Sequence, residues 1–216
     1  MDPRWLSNAY LVADEPGGTA VFVDSGAPLD PLHEVVEREG LNVTHLLTTH
    51  AHDDHVAGDD ELVDRYGLEI VKGALHTGGL RFQALETPGH AGDHLAFLVN
   101  DLVCFTGDIV FKDAVGGGPD ADPIRRSVMD VLMTLPPEIR VLPGHTEETT
   151  IGREWEENPF VRYWRGDVKS VDEPVRVGGD DATLVVWSPD YDGKGKALVR
   201  FSDGREAIVG GSRVER

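Results

Sequence analysis

In the first half of the chain, short β-rich runs take turns with stretches of helical period, the pattern of layered α and β structure. Ala9 to Val12 and Thr19 to Val23 read as strands joined by a turn at Pro16-Gly17-Gly18. Asp30 reads as a helix N-cap with Pro31 at the first helical position, Leu32, Val35 and Val36 supply the apolar stripe, and Gly40 is the stop. Val43 to Leu47 is a strand that ends just short of a histidine cluster, and Leu62 to Tyr66 fits a helix behind that cluster. Further strands are expected at Leu68 to Val71, Arg81 to Leu85, His94 to Val99, Leu102 to Phe105 and Arg140 to Leu142. Before the last of these, Asp122-Pro123 opens a helix that would bury Ile124, Val128, Val131, Leu132 and Leu135 on one face.

The pattern changes after about Gly166. The rest of the chain carries only short β signals, at Thr183 to Trp187, Ala197 to Ser202 and Ala207 to Val209, with Asp203-Gly204 as a hairpin turn. Two units are therefore expected: a larger one over 1–166 and a small all-β appendage over 167–216, in the form of an SH3-like barrel. No repeat or low-complexity tract interrupts them.

A formal net charge of -19 at pH 7 argues against nucleic acid or an anionic membrane surface as partner, since both repel such a chain. No run reaches the roughly 18 apolar residues that span a bilayer. Met1-Asp2-Pro3-Arg4-Trp5 lacks the basic-then-apolar layout of a secretory leader, so a cytoplasmic protein acting on a small molecule is expected. The single cysteine, Cys104, falls inside an apolar run and reads as strand filler rather than a reactive thiol. Oligomeric state leaves no mark in the sequence.

The chemistry concentrates in Thr48-Thr49-His50-Ala51-His52-Asp53-Asp54-His55. Three imidazoles and a carboxylate crowd together at the end of an expected buried strand, a donor set suited to zinc or iron. Residues two apart on an extended segment point the same way, so His50 and His52 can grip one ion. If the chain then turns helical, Asp54 and His55 swing toward a neighbouring one. No nucleophile elbow of the Gly-x-Ser-x-Gly type is present.

His50-Ala51-His52-Asp53-Asp54-His55 matches the HxHxDH motif of the metallo-β-lactamase superfamily, and three later segments resemble its other motifs in order: Thr87-Pro88-Gly89-His90, Phe105-Thr106-Gly107-Asp108 and Leu142-Pro143-Gly144-His145. The stretch from Thr149-Thr150-Ile151-Gly152-Arg153-Glu154 to Asn158-Pro159-Phe160 is similar to the tail of short members of its glyoxalase II (hydroxyacylglutathione hydrolase) branch. The resemblance implies an α+β fold, a four-layer αββα sandwich with metals at one sheet edge. It also implies the ligand roles: His50, His52 and His90 on one ion, Asp54, His55 and His145 on the other, and Asp108 between them. The pair would be two zinc ions, with iron or manganese admissible in either position.

A metal-bridging hydroxide, oriented by Asp54, would then hydrolyse a thioester of the hydroxyacyl-glutathione kind. Alternatives within the fold are an iron-dependent persulfide dioxygenase and a lactonase or β-lactamase; outside catalysis, the chain could be a metal-binding module. Val115-Gly116-Gly117-Gly118-Pro119 carries no cation where glyoxalase II enzymes carry a basic residue, and it reads as a flexible border of the site, with Lys112 nearby. Asp24 is either a support for the metal loop or a turn residue. Asp53 is expected to face solvent, and His94 to serve in structural hydrogen bonds. His33, His45 and His76 show no partner pattern.

Overall fold

The structure, a computed structural model, describes residues 5–216, so the reading of Met1 to Arg4 lies outside the described residues. The first sheet contains β1 (Tyr10–Ala13), β2 (Thr19–Val23), β3 (Asn42–Leu47) and β4 (Glu69–Val71) in that spatial order, with β1 antiparallel to β2 and the rest parallel. Its outer face is covered by α1 (Asp30–Glu39) and α3 (Asp59–Tyr66), with the short α2 (Asp53–Val56) at its end. Phe22, Leu46, Val36 and Leu62 form the core under those helices. The first helix is capped one residue earlier than expected: Leu29 is its cap, Asp30 sits in the first turn where a carboxylate favours the helix dipole, and Gly40 ends it at φ 63°.

The second sheet takes β5 (Leu75–Thr77), β6 (Leu80–Glu86), β7 (Leu95–Val99) and β8 (Val103–Gly107), then, past a small hairpin of β9 (Val110–Phe111) and β10 (Ala114–Val115), β11 (Arg140–Pro143) and β12 (Thr149–Thr150). Only β8 and β11 run parallel in it. Each strand alternates sides, and the inward set (Val21, Val23, Leu47, Phe82, Phe97, Phe105) fills the space between the two sheets. Cys104 points to the other face, where it is fully buried and its thiol is pushed up to about 12 by burial.

The outer layer of the second sheet holds α4 (Ala121–Arg126), α5 (Ile151–Glu157) and α6 (Pro159–Trp164). Ile124, Val128 and Leu132 are buried as the periodicity requires, but the helix does not run through Leu135. It widens into a π turn over Ser127–Val131, tightens to 3-10 over Leu132–Thr134, and leaves Leu135 extended. Pro136 comes next, and a residue before proline is kept out of the α region. Thr150 and Asn158 cap the last two helices with their side chains. These layers are the αββα sandwich that the motifs imply.

The remaining strands, β13 (Glu173–Val177), β14 (Asp180–Ser188), β15 (Lys196–Phe201), β16 (Glu206–Gly210) and β17 (Val214–Glu215), form a curled, all-antiparallel sheet in the order β16-β15-β14-β13-β17. Four strands make a meander and the fifth returns to the first, as in an SH3-like arrangement. Leu184, Val199 and Val209 face its own core, whereas Val186, Leu198 and Ile208 join the cluster formed by α4, α6 and the second sheet. The C-terminal sheet therefore shares one apolar cluster with α4, α6 and the second sheet. No helix among the described residues is long and apolar enough to cross a membrane.

Candidate metal centre

Parallel strands open their carboxyl ends at one edge, and that geometry assembles the cluster. Asp24 follows β2, Thr48 to His50 follow β3, Asp108 follows β8, and His145 follows β11. His90 comes from the loop between β6 and β7. His52 is the cap of α2, so its backbone is still extended (ψ 145°) while Asp54 and His55 already lie on the helical turn. The change of backbone within three residues splits the motif between two directions.

All seven motif side chains converge. Ligand-type atoms of His50, His52 and His90 lie within 4.8 Å of one another, as do those of Asp54, His55 and His145, and those of His50, His55 and Asp108. His52 Nδ1 is 3.0 Å from both His50 Nε2 and His90 Nε2. Asp108 stands between the two groups: its Oδ2 is 3.5 Å from His90 Nε2 and 3.3 Å from His145 Nε2, and its Oδ1 is 3.2 Å from His55 Nε2. Asp54 Oδ2 is 3.4 Å from His145 Nε2. His50, His55, Asp108 and His145 are buried, Asp54 and His90 half-buried and His52 exposed, so the centre opens on one side.

Three ring nitrogens that face away from the centre are tethered. His55 Nδ1 donates to Asp24 Oδ2 at 2.8 Å, His90 Nδ1 to the Gly117 carbonyl at 2.9 Å, and His145 Nδ1 to the Leu6 carbonyl at 2.9 Å. Such tethers fix tautomer and plane and leave Nε2 free to bind an ion. His55 Nε2, Asp108 Oδ1 and His145 Nε2 are buried without a hydrogen bond. Orphaned polar atoms are costly, and three converging on one spot fit a bound cation. Imidazole nitrogen with carboxylate oxygen is the donor set zinc and iron accept.

Without a cation, the protons redistribute. Burial pushes His50 down to about 2, with the charge of His55 adding to the shift, and burial also lowers His90. Burial acts the same way on His55 and His145, but Asp108 together with Asp24 raises the first to about 10, and Asp108 together with Asp54 raises the second to about 9. Asp108 falls well below the usual carboxylate range although burial opposes it, because His145 and His55 flank it. Asp54 is lowered chiefly by His145.

The other polar residues have definite places. Asp24, in the left-handed region at φ 55°, accepts from the Thr49 amide and hydroxyl as well as from His55, so it supports the metal loop rather than merely turning the chain. Asp53 is exposed. His94 donates from Nδ1 to Thr87 and accepts the Asp108 amide on Nε2 at 3.0 Å, and burial lowers it to about 3. It holds Asp108 through the backbone, with both ring nitrogens in use. His33 is buried against Tyr66 and Glu61, His45 bonds Thr44, and His76 is exposed. Lys112 is committed to Glu147.

The glycine run is not the flexible border that its composition suggests. Gly118 exchanges two backbone hydrogen bonds with Ile208 of β16, and Gly117 holds His90. A Cβ at Gly116 would sit 1.9 Å from the Asp108 carbonyl, so glycine is required there by close packing. Gly144 is under the same constraint, because its Cβ would lie 2.3 Å from Asp108 Oδ1.

One neighbour carries no motif at all. Tyr191, from the loop between β14 and β15, stacks on His145 with ring centroids 4.1 Å apart and planes 4° apart. Sequence reasoning missed it because the loop belongs to the appendage and only the fold brings it to the centre. The Leu6 carbonyl escaped for a simpler reason: a backbone oxygen has no signature in a sequence.

A family model for the metallo-beta-lactamase superfamily matches residues 2–78. The protein Rv2581c of Mycobacterium tuberculosis is 30% identical over 207 residues, covering 71% of this chain and 92% of its own length. Hydroxyacylglutathione hydrolase GloC of Haemophilus influenzae is 27% identical over 196 residues, with 71% and 92% covered. The solved structure of TTHA1623 in a di-iron-bound form superimposes with a TM-score of 0.63 at 30% identity, covering 74% of this chain and 97% of that one.

Proposed function

Because the chain belongs to the metallo-β-lactamase superfamily, we propose that it is a dinuclear metal hydrolase that cleaves a thioester of the hydroxyacyl-glutathione kind. One observation carries the metal part: two ligand triads, His50/His52/His90 and Asp54/His55/His145, with the Asp108 carboxylate between them. The thioester part is supported by the likeness to GloC.

Zinc suits the first triad, which is imidazole only, and the second takes zinc or iron through its added carboxylate. Bound ions would supply a water whose pKa is lowered to about 7 and an electrophile for the substrate carbonyl. The protein's own part is to hold and orient. Asp54, its side chain 26% exposed, is the carboxylate best placed to accept a hydrogen bond from the attacking water. Asp108, buried and kept ionised, supplies charge that resists displacement by solvent. Asp24, Gly117 and Leu6 keep three imidazole rings in their planes. The exposed side at His52 and Asp54 admits a small substrate.

Metal content and turnover measured on one purified sample test this reading. About two zinc per chain with cleavage of S-lactoylglutathione supports it. One iron per chain with oxygen uptake on glutathione persulfide overturns it.

A further inference from the structure

The loop between β14 and β15 leaves the C-terminal sheet and returns to the ligand cluster. At its tip the Tyr191 ring lies flat on His145, at 4.1 Å and 4°. His145 is also held through Nδ1 by the Leu6 carbonyl, so the imidazole is fixed at one nitrogen and across one face. Its Nε2 then points at Asp54 and Asp108, 3.4 and 3.3 Å away.

Tyr191 is itself held. The Lys196–Asp190 ion pair, 2.9 Å long with side chains 10% and 4% exposed, closes the base of the loop. Phe111 meets the tyrosine ring edge-on at 5.8 Å, and Lys196 Nζ lies 5.7 Å from its centroid. A buried ion pair is a costly way to close a loop unless the loop must keep one shape. The phenol oxygen, in contrast, makes no hydrogen bond among the described residues. The residue lines a groove of about 450 Å³ with Leu6, Thr146, Pro189 and the Lys112–Glu147 pair.

We infer that Tyr191 is a working part of the site: its ring positions His145, and its phenol donates a hydrogen bond to the leaving atom of a substrate seated in this groove. The second half rests on the hydrolase reading; the first does not. A phenol is protonated at neutral pH and can donate to an oxygen or sulfur that gathers negative charge as its bond to the acyl carbon breaks. The ligand class is an ester or thioester whose leaving half lies on the Asp54–His145 side. The C-terminal sheet thereby completes a site whose ligands all come from the larger unit.

Native protein, Tyr191→Phe and Tyr191→Ala are compared by chelator competition for bound metal, by the absorption spectrum of the cobalt-substituted protein, and by kcat and KM on S-lactoylglutathione. Tyr191→Ala is expected to weaken metal retention about tenfold and to shift the cobalt bands, since a lost support of a ligand histidine costs that much. Tyr191→Phe should restore both, yet lower kcat about tenfold with KM little changed, the mark of an interaction made in the transition state. Native metal retention and cobalt bands in Tyr191→Ala overturn the positioning role, and native kcat in Tyr191→Phe overturns the donor. If the native protein cleaves no thioester, the hydrolase reading and the donor role fall together, while the chelator and cobalt readouts still decide the positioning of His145.

Discussion

Asp24 Oδ2 accepts the Nδ1 proton of His55 at 2.8 Å, and the same carboxylate takes the amide and hydroxyl of Thr49, each at 2.8 Å. One buried side chain at the end of β2 thus sets both the exit of β3 and the plane of the His55 ring.

Asp24→Ala leaves the Thr49 amide, the Thr49 hydroxyl and His55 Nδ1 without their acceptor. Each stranded buried group costs about 1–3 kcal/mol, so a marked drop in Tm is expected. Metal retention, read by chelator titration, should fall about 10–100-fold. Retention equal to the native protein would show that His55 does not depend on this support.

The protonation of the metal-free site makes a pH prediction. His55 and His145 are raised to about 10 and about 9, above the ordinary histidine value near 6.5, so the stability they add is complete below about pH 6.5 and is lost as pH rises through those values. Asp108 is depressed, so its contribution is present above about pH 4 and lost as pH falls further. The Tm of the metal-free protein should therefore decline between pH 7 and pH 10. Metal loading at pH 7.5 must expel the protons on His55 and His145, and calorimetry in buffers of different ionisation enthalpy should read release of about two to three per chain, the third from the acidified water. No release would mean that these rings are already neutral.

His94 and Asp108 are joined by a hydrogen bond but differ in role. Asp108→Ala removes the carboxylate shared by both triads and should abolish metal retention. His94→Ala removes bonds to Thr87 and to the Asp108 amide, which lowers Tm, yet it deletes no ligand, so most metal should remain. Equal loss of metal in the two variants would contradict the ligand assignment.

The legible part of the molecule was the part whose physics is local. Strand periodicity gave β2, β3, β6 and β8, and the HxHxDH spacing placed His50, His52, Asp54 and His55 because a strand end and a helix start leave their own residue patterns. The motifs around His90, Asp108 and His145 were found through family resemblance, not through their spacing. Relationships made by the fold were hidden. Gly116 to Gly118 look flexible as bare sequence, whereas packing against Asp108 and pairing with Ile208 hold them rigid. The π turn over Ser127–Val131 leaves no mark in the residue pattern, whereas the extended Leu135 that ends the segment is set by Pro136. Tyr191 lies 46 positions beyond the histidine it stacks on, and nothing in its neighbourhood announces that contact.

Anomalous scattering from crystals of the zinc-loaded protein tests the two triads most directly. Two peaks about 3.5–4 Å apart are expected, one among His50, His52 and His90 and the other among Asp54, His55 and His145, with Asp108 touching both. A single peak, or a pair lying away from Asp108, would contradict a dinuclear centre in this chain.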